Sequence, residues 1–495
     1  MSEAPSDPTP AHAPPPAPTP AAPDRPVRVR GWLRTSAILA ALGAVMFFGG
    51  CNFLLERTVK HRVDFNFAGD GPFLQFTGVV ADMSTRAGLP ESTAPAPGST
   101  VAKPVAAVNS ADAHWPGWRG RNGQGTVAGD KPLPTQWSRA EGVLWRTEIP
   151  GVGHSSPVVW GDRVYVTTSQ DSGRTRSLIG LDRKTGSIVV RGDPVEDPDP
   201  GPVHSKHGHA SSTPVTDGRR IVAFFGRAGL AAFDMEGKRL WRADLGAFTG
   251  GWGTASSPIV YGDNVILCVD DDAQCFIAAY RLEDGKQVWR TRRDQDRSFS
   301  TPLVVETADG ARELVINGKG RVWAYDPDTG AELWVCDGMM EWVTPTVVAG
   351  HGLVFATCGR NGPTLAIRPG GRGNVTKTHV AWKSVKGGPY IPSPVLYGDH
   401  LYMCNDNGIL AVYEAKTGNK VHQARLGGDH TASAIAGGGH VYFVSEQGNT
   451  YVVKAGDGFP LVATNGLGER VLASPAVAEG VIYLRTDEAL YAVGR

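Results

Sequence analysis

A Ser/Thr-Pro-Val-like step recurs along this 495-residue chain from about Ser155 onward, and each recurrence opens the same pattern of a turn, an apolar strand and a reset. The marker prolines are Pro157, Pro214, Pro258, Pro302, Pro345, Pro394 and Pro475, with Ala434 in the equivalent place of the seventh copy. Their separations are 57, 44, 44, 43, 49, 40 and 41 residues. That is the span of one four-stranded propeller blade rather than of a helical repeat. Within a copy, Val164-Tyr165-Val166-Thr167-Thr168 and Val441-Tyr442-Phe443-Val444 are β-branched or aromatic, while Tyr261-Gly262-Asp263-Asn264 and Asn405-Asp406-Asn407-Gly408 read as turns. The period predicts an all-β, eight-bladed β-propeller.

Most copies carry a second mark in their latter half, an Asp-x-x-x-Gly-x-x-x-Trp spacing. It is complete at Asp326, Gly330 and Trp334 and partial at Gly237 with Trp241, Gly285 with Trp289 and Asp182 with Gly186. The Asp suits a turn that needs an acceptor for backbone N–H groups, and the Gly supplies φ > 0. The indole four residues later falls on the outer strand, where it covers the next blade. The eighth copy stops after Leu490-Tyr491-Ala492-Val493 without its outer strand, and a matching piece, Val143-Leu144-Trp145-Arg146-Thr147-Glu148-Ile149, precedes the first copy. That N-terminal strand is expected to complete the last blade and close the ring, leaving no free sheet edge.

These residues resemble the pyrroloquinoline-quinone-like (PQQ-like) propeller repeat, shared by quinoprotein alcohol dehydrogenases and by BamB-like proteins of the outer-membrane assembly machinery. The resemblance covers roughly 115–495. It includes a leading segment, Trp115-Pro-Gly-Trp-Arg-Gly-Arg-Asn122 through Leu133-Pro-Thr-Gln-Trp137, similar to that of one branch of envelope proteins. Such a repeat is specific for fold and unspecific for activity.

The N-terminal part is built differently. Residues 1–26 hold ten prolines and no aromatic residue, so 1–34 is expected to be a disordered, Pro-rich cytoplasmic tail. From Thr35 to Leu55 the chain carries no charge, and these 21 residues would make a helix of about 31 Å, enough to span a bilayer. Arg25, Arg28, Arg30 and Arg34 precede it and keep that side cytoplasmic, which puts the ring on the periplasmic side of the inner membrane. Length and flanks favour an uncleaved single-pass anchor. The alternatives are a cleaved signal peptide and a lipoprotein modified at Cys51. Residues 56–114 read as a hairpin, Val63–Phe67 and Phe73–Phe76 about a Gly-Asp-Gly-Pro turn, followed by a flexible linker rich in Pro, Ala, Ser and Thr.

Lys+Arg and Asp+Glu balance at 49 each, so no global field gathers nucleic acid. The basic run Arg290 to Arg297 is broken by Asp294 and Asp296 and reads as a solvated loop between strands. For a catalytic site the resemblance implies a Ca²⁺ held by carboxylate and amide oxygens, a carboxylate base, an Arg near the quinone, an indole beneath it and a disulfide between adjacent cysteines. Cys51, Cys268, Cys275, Cys336, Cys358 and Cys404 are all separated, so that last part is missing. No P-loop, dinucleotide fingerprint or nucleophile elbow is present.

Three clusters remain. A symmetric hairpin about Asp270-Asp271-Asp272-Ala273 would set Cys268 and Cys275 opposite each other at disulfide distance; the alternative, two small core residues, is favoured because Cys404 holds the same place in its copy without such a partner. The three aspartates read as a turn before they read as a cation site. His204, His207 and His209 lie in the connection that lengthens the first spacing, and their spacing permits a metal, although no fourth ligand is identifiable. The resulting reading is a membrane-anchored, non-catalytic propeller that binds envelope proteins or a small ligand, with no cofactor. The alternative is a quinoprotein oxidoreductase using PQQ and calcium on an alcohol or sugar, and a metal hydrolase built on the His loop trails both. Short turns leave few insertions from which to build a lid over a cofactor.

Overall fold

The computed structural model describes residues 113–127, 131–341 and 343–494. The anchor 35–55, the hairpin of 63–76, most of the linker and Cys51 lie outside the described residues. Among the described residues, no helix is long and apolar enough to cross a membrane.

The chain forms eight antiparallel blades of four strands, arranged as a propeller. Each blade runs from the channel outward, and its first strand begins directly after a Ser/Thr-Pro-like step: Val158–Trp160, Val215–Thr216, Ile259–Tyr261, Leu303–Glu306, Val348–Gly350, Val395–Tyr397, Ile435–Gly437 and Ala476–Ala478. Two blades carry an extra strand. Val195–Glu196 joins the first, and Gly373–Asn374 runs parallel to the outer strand of the fourth.

Closure is as the sequence predicts. Val143–Glu148 pairs antiparallel with Ala489–Val493, so the outer strand of blade 8 comes from the N-terminal side of the ring. Arg146 donates to the Tyr491 hydroxyl (2.9 Å) and to Glu469 (3.1 Å), a polar bond set across the seam that backbone pairing alone would not supply.

Between blades the outer Trp and the turn Gly work as a pair. The Asp182 and Asp326 carboxylates accept backbone N–H groups inside their own turns. Trp145, Trp241, Trp289 and Trp382 each donate an indole N–H to a carbonyl in the next blade's turn, at 2.8–3.2 Å. Each indole lies against that turn's glycine. A Cβ at Gly186, Gly285, Gly330 or Gly418 would stand 2.4–2.6 Å from indole atoms, so these positions need Gly for space as well as for φ. Burying an aromatic of this size contributes roughly 2–3 kcal/mol per blade junction. Trp334 departs from the pattern: it donates to buried Glu313 (2.7 Å), because blade 5 replaces the short turn with a longer connection that brings Gly370 to the same carboxylate.

Three sequence expectations need correction. In blade 5 the step equivalent to Ser257-Pro258 is Thr346-Val347, and Pro345 sits two residues earlier than the other marker prolines, as the hydrogen bonding of Thr346 shows. His114, assigned to the linker, already packs on the ring; it stacks on Trp160 (4.2 Å, 15°) and accepts the Gly161 N–H. The basic run is not a solvated loop throughout. Gln287–Arg292 is the outer strand of blade 3, and Arg293 is fully buried in an ion pair with Asp270 (2.9 Å), under the Tyr325 hydroxyl.

Candidate functional site

The channel is closed at one mouth by the leading segment. Trp115 exchanges both backbone bonds with Val159, Thr216 donates to the Pro116 carbonyl, and on the far side of the ring Ala436 accepts the Val127 N–H and donates to the Gly125 carbonyl. Gln124 accepts the Ala349 N–H, and Arg119 donates to the Pro394 carbonyl at 2.6 Å. One short stretch thus binds the inner strands of blades 1, 2, 5, 6 and 7. Trp118, on the same stretch, lines the channel cavity.

The cavity has a volume of about 500 Å³ and opens toward the other mouth. That is within the range of a small-molecule site. Its inner wall is a ring of hydroxyls. Ser156 N donates to Thr213 Oγ1, Thr213 N to Ser257, Ser257 N to Thr301, Thr301 N to Thr346, Thr346 N to Ser393, Ser393 N to Ser433 and Ser433 N to Ser474, all at 2.9–3.0 Å. This explains the Ser/Thr of the repeat. The residue before the marker proline caps the N–H of its counterpart in the preceding blade, and a short hydroxyl side chain does that without blocking the channel.

Over the open mouth lies the long connection between blades 1 and 2. Lys206 reaches Glu446 of blade 7 (2.8 Å), and His204 stacks on Trp252 (4.9 Å, 15°). This long insertion is therefore placed where a lid would be, contrary to the expectation that the connections leave little from which to build one.

The candidate histidines do not converge. His204 faces Trp252, His207 packs against Gly253, and His209 Nδ1 meets Arg176 (3.3 Å). Among the described residues, no three His, Cys, Asp or Glu side chains gather as a metal set. Burial lowers His207 to about 4 and His154, also at the cavity, to about 3, where the nearby Arg485, His207 and Arg470 add to the effect. Both are neutral.

Cys268 and Cys275 are free thiols. The hairpin closes one residue later than a symmetric turn would place it: Asp270 faces Cys275 and Cys268 faces Ile277, so the cysteines are diagonal neighbours rather than opposed. The three aspartates diverge as well. Asp270 binds Arg293, Asp271 accepts the N–H groups of Thr249 and Ala273, and Asp272 pairs with Arg297.

The quinone chemistry implied by the resemblance can be tested on the donors present. Three carboxylates line the cavity, Asp406, Asp429 and Glu446. Both Asp406 oxygens accept N–H groups, from Tyr390 (2.7 Å) and Ile391 (3.1 Å), and burial raises its pKa above the ordinary value. Glu446 is held by Lys206 and Thr431. Two of the three carboxylates are thus engaged, and these residues do not fit a calcium-held quinone, which needs several free oxygens on one point. The mouth residues Lys206, Glu446 and Asp406 have no site signal in the repeat; only the long first spacing hints at the connection between blades 1 and 2, a strap over the open mouth.

A family model described as outer membrane protein assembly factor BamB matches residues 121–265, 197–424 and 406–494. The chain belongs to this family. This BamB-like propeller is 29% identical over 157 residues to BamB of Burkholderia pseudomallei, covering 30% of this chain and 39% of that protein. Against BamB of Shewanella oneidensis the figures are 24% over 209 residues, 41% and 51%. The chain thus spans about half, or less, of the length of the curated relatives it matches. Among solved structures, BamB from Moraxella catarrhalis superposes with a TM-score of 0.53 at 15% identity, over 71% of this chain and 97% of that one. Quinohemoprotein alcohol dehydrogenase from Comamonas testosteroni gives 0.59 at 13% identity, over 79% and 82%. Likeness at these identities shows the fold alone.

Proposed function

We propose that this BamB-like propeller is a membrane-tethered, non-catalytic scaffold of the bacterial cell envelope, anchored through residues 35–55 with its ring on the periplasmic side. Its ring faces bind other envelope proteins, and its channel holds a ligand. The observation that carries this reading is the state of the cavity: Asp406 and Glu446 are engaged by backbone and side-chain donors, which leaves Asp429 as the single lining carboxylate outside those bonds, too few oxygens to hold calcium. The family's printed description, an outer membrane assembly factor, supports an envelope partner. The uncharged 35–55 stretch behind four arginines supports the tether.

A second reading, a quinoprotein oxidoreductase using PQQ and calcium, is favoured by the cavity's size and by the fold shared with the alcohol dehydrogenase. One experiment separates them. The full chain in detergent is incubated with pyrroloquinoline quinone and Ca²⁺, desalted, scanned for quinone absorbance and assayed for alcohol- or sugar-dependent dye reduction. The scaffold reading expects neither retention nor turnover, and crosslinking to other envelope proteins in intact cells. Retained quinone with substrate-dependent dye reduction sinks it.

A further inference from the structure

The hydroxyl ring carries donors that the protein does not use. Seven of the eight ring oxygens, all but that of Ser156, accept a backbone N–H, and among the described residues none of these accepting hydroxyls donates to a protein group. A hydroxyl has one hydrogen to donate. With the lone pairs facing the neighbouring N–H groups, the hydrogens are left for whatever occupies the cavity that most of these side chains line.

Two guanidiniums stand behind this ring. Arg119 is 1% exposed, donates only to the Pro394 and Gln124 carbonyls, and leaves its Nε and Nη1 buried without a partner. Arg485 is 3% exposed and donates to the carbonyl and hydroxyl of Ser155, the residue before Ser156 of the ring. Burial lowers both to about 9; no acidic group acts on Arg119, and only Asp487 acts on Arg485. A buried cation held by carbonyls alone is unfavourable, and a nearby anion offsets that cost. Among the described residues, none of the carboxylates at the mouth bonds to either guanidinium. Glu446 is held by Lys206 and Thr431, Asp406 by two backbone N–H groups, and Asp429 is exposed.

We propose that the hydroxyl ring, backed by Arg119 and Arg485, is a binding site for a small oxyanion, a carboxylate or phosphate group on a ligand that enters the open mouth beneath the strap. The site needs neither quinone nor metal and does not depend on the scaffold reading.

Isothermal titration of the full chain in detergent with inorganic phosphate, and separately with malonate, is expected to give saturable one-site binding, and the preferred anion distinguishes phosphate from carboxylate. Ala255→Asp places a carboxylate in the cavity wall without touching the ring hydroxyls or either arginine, and is expected to weaken binding by about tenfold or more. Arg485→Gln should act in the same direction, with circular dichroism and Tm of each unliganded variant confirming that it folds. Absence of saturable binding to both anions, or binding that Ala255→Asp leaves unchanged, overturns the proposal. Quinone retention and dye reduction bear on the scaffold reading alone, so the two can fail separately.

Discussion

The two mouths of the channel, one sealed and one only covered, are held by different physics. At one, the leading segment is bound through backbone bonds to inner strands on opposite sides of the ring, with Trp115 2% exposed beneath it. At the other, the strap is held by side chains: an ion pair whose Lys206 is 42% exposed, and a ring stack on Trp252. Backbone bonds between buried strands persist as long as the blades do. A partly exposed ion pair contributes little and is easily exchanged. The first mouth is a seal that is part of the fold, whereas the second is a cover that can open with the ring intact.

Breaking the seal should cost most. Trp115→Ala removes a buried indole and is expected to lower folding stability by about 3–5 kcal/mol, read as the urea midpoint with the slope unchanged. An effect as small as that of Trp252→Ala, whose indole is 42% exposed, would mean that the two mouths are held alike.

Acid should act next, and from the strap side. His154 and His207 have folded pKa values of about 3 and about 4, below the 6.5 of an unfolded histidine. The unfolded chain therefore binds protons first as pH falls, and stability present above pH 6.5 is lost progressively toward pH 3–4. Urea midpoints at pH 7 and pH 5 should differ, and His154→Gln should reduce the difference. Buried carboxylates such as Glu469, held low by Thr486, Tyr491 and Arg146 against burial, add a loss of the same sign that this variant leaves in place. A slope that His154→Gln leaves unaltered would show that the histidine is not neutral in the fold.

The smallest expected effect sharpens the contrast most. Lys206→Ala should change global stability by under about 1 kcal/mol, because only a partly exposed pair is lost. Yet it should raise amide hydrogen exchange in residues 202–209 while leaving 115–127 protected. Equal exchange in both segments, or a Tm drop as large as that for Trp115→Ala, would break the distinction between seal and cover.

The blades were readable from the chain because their determinants are local. Pro157, Pro258 and Pro475 mark first strands, Asp326 and Gly330 build one turn within five residues, and Val143–Glu148 was recognisable as the missing strand of an incomplete copy. Local spacing falls short at two places: Pro345 reads as a marker, yet Thr346 holds the ring bond, and the hairpin of Cys268 and Cys275 pairs Asp270 with Cys275. The site was nearly invisible. The Ser/Thr of the repeat reads as a strand-starting pattern with no hint that the hydroxyls converge, and the spacing of the histidines only permits a metal, since nothing in the chain says that Trp252, Gly253 and Arg176 draw them apart.

The amino-acid sequence by itself determined the propeller, its blade number and its closure, since a repeat that cannot bury its own face must stack on copies of itself. Only the tertiary structure decided what the channel is. Lys206 meets Glu446 across 240 residues, Arg119 meets Pro394 across 275, and Arg485 meets Ser155 across 330. Contacts so distant along the chain have no local period to announce them, and they exist only once the ring has closed.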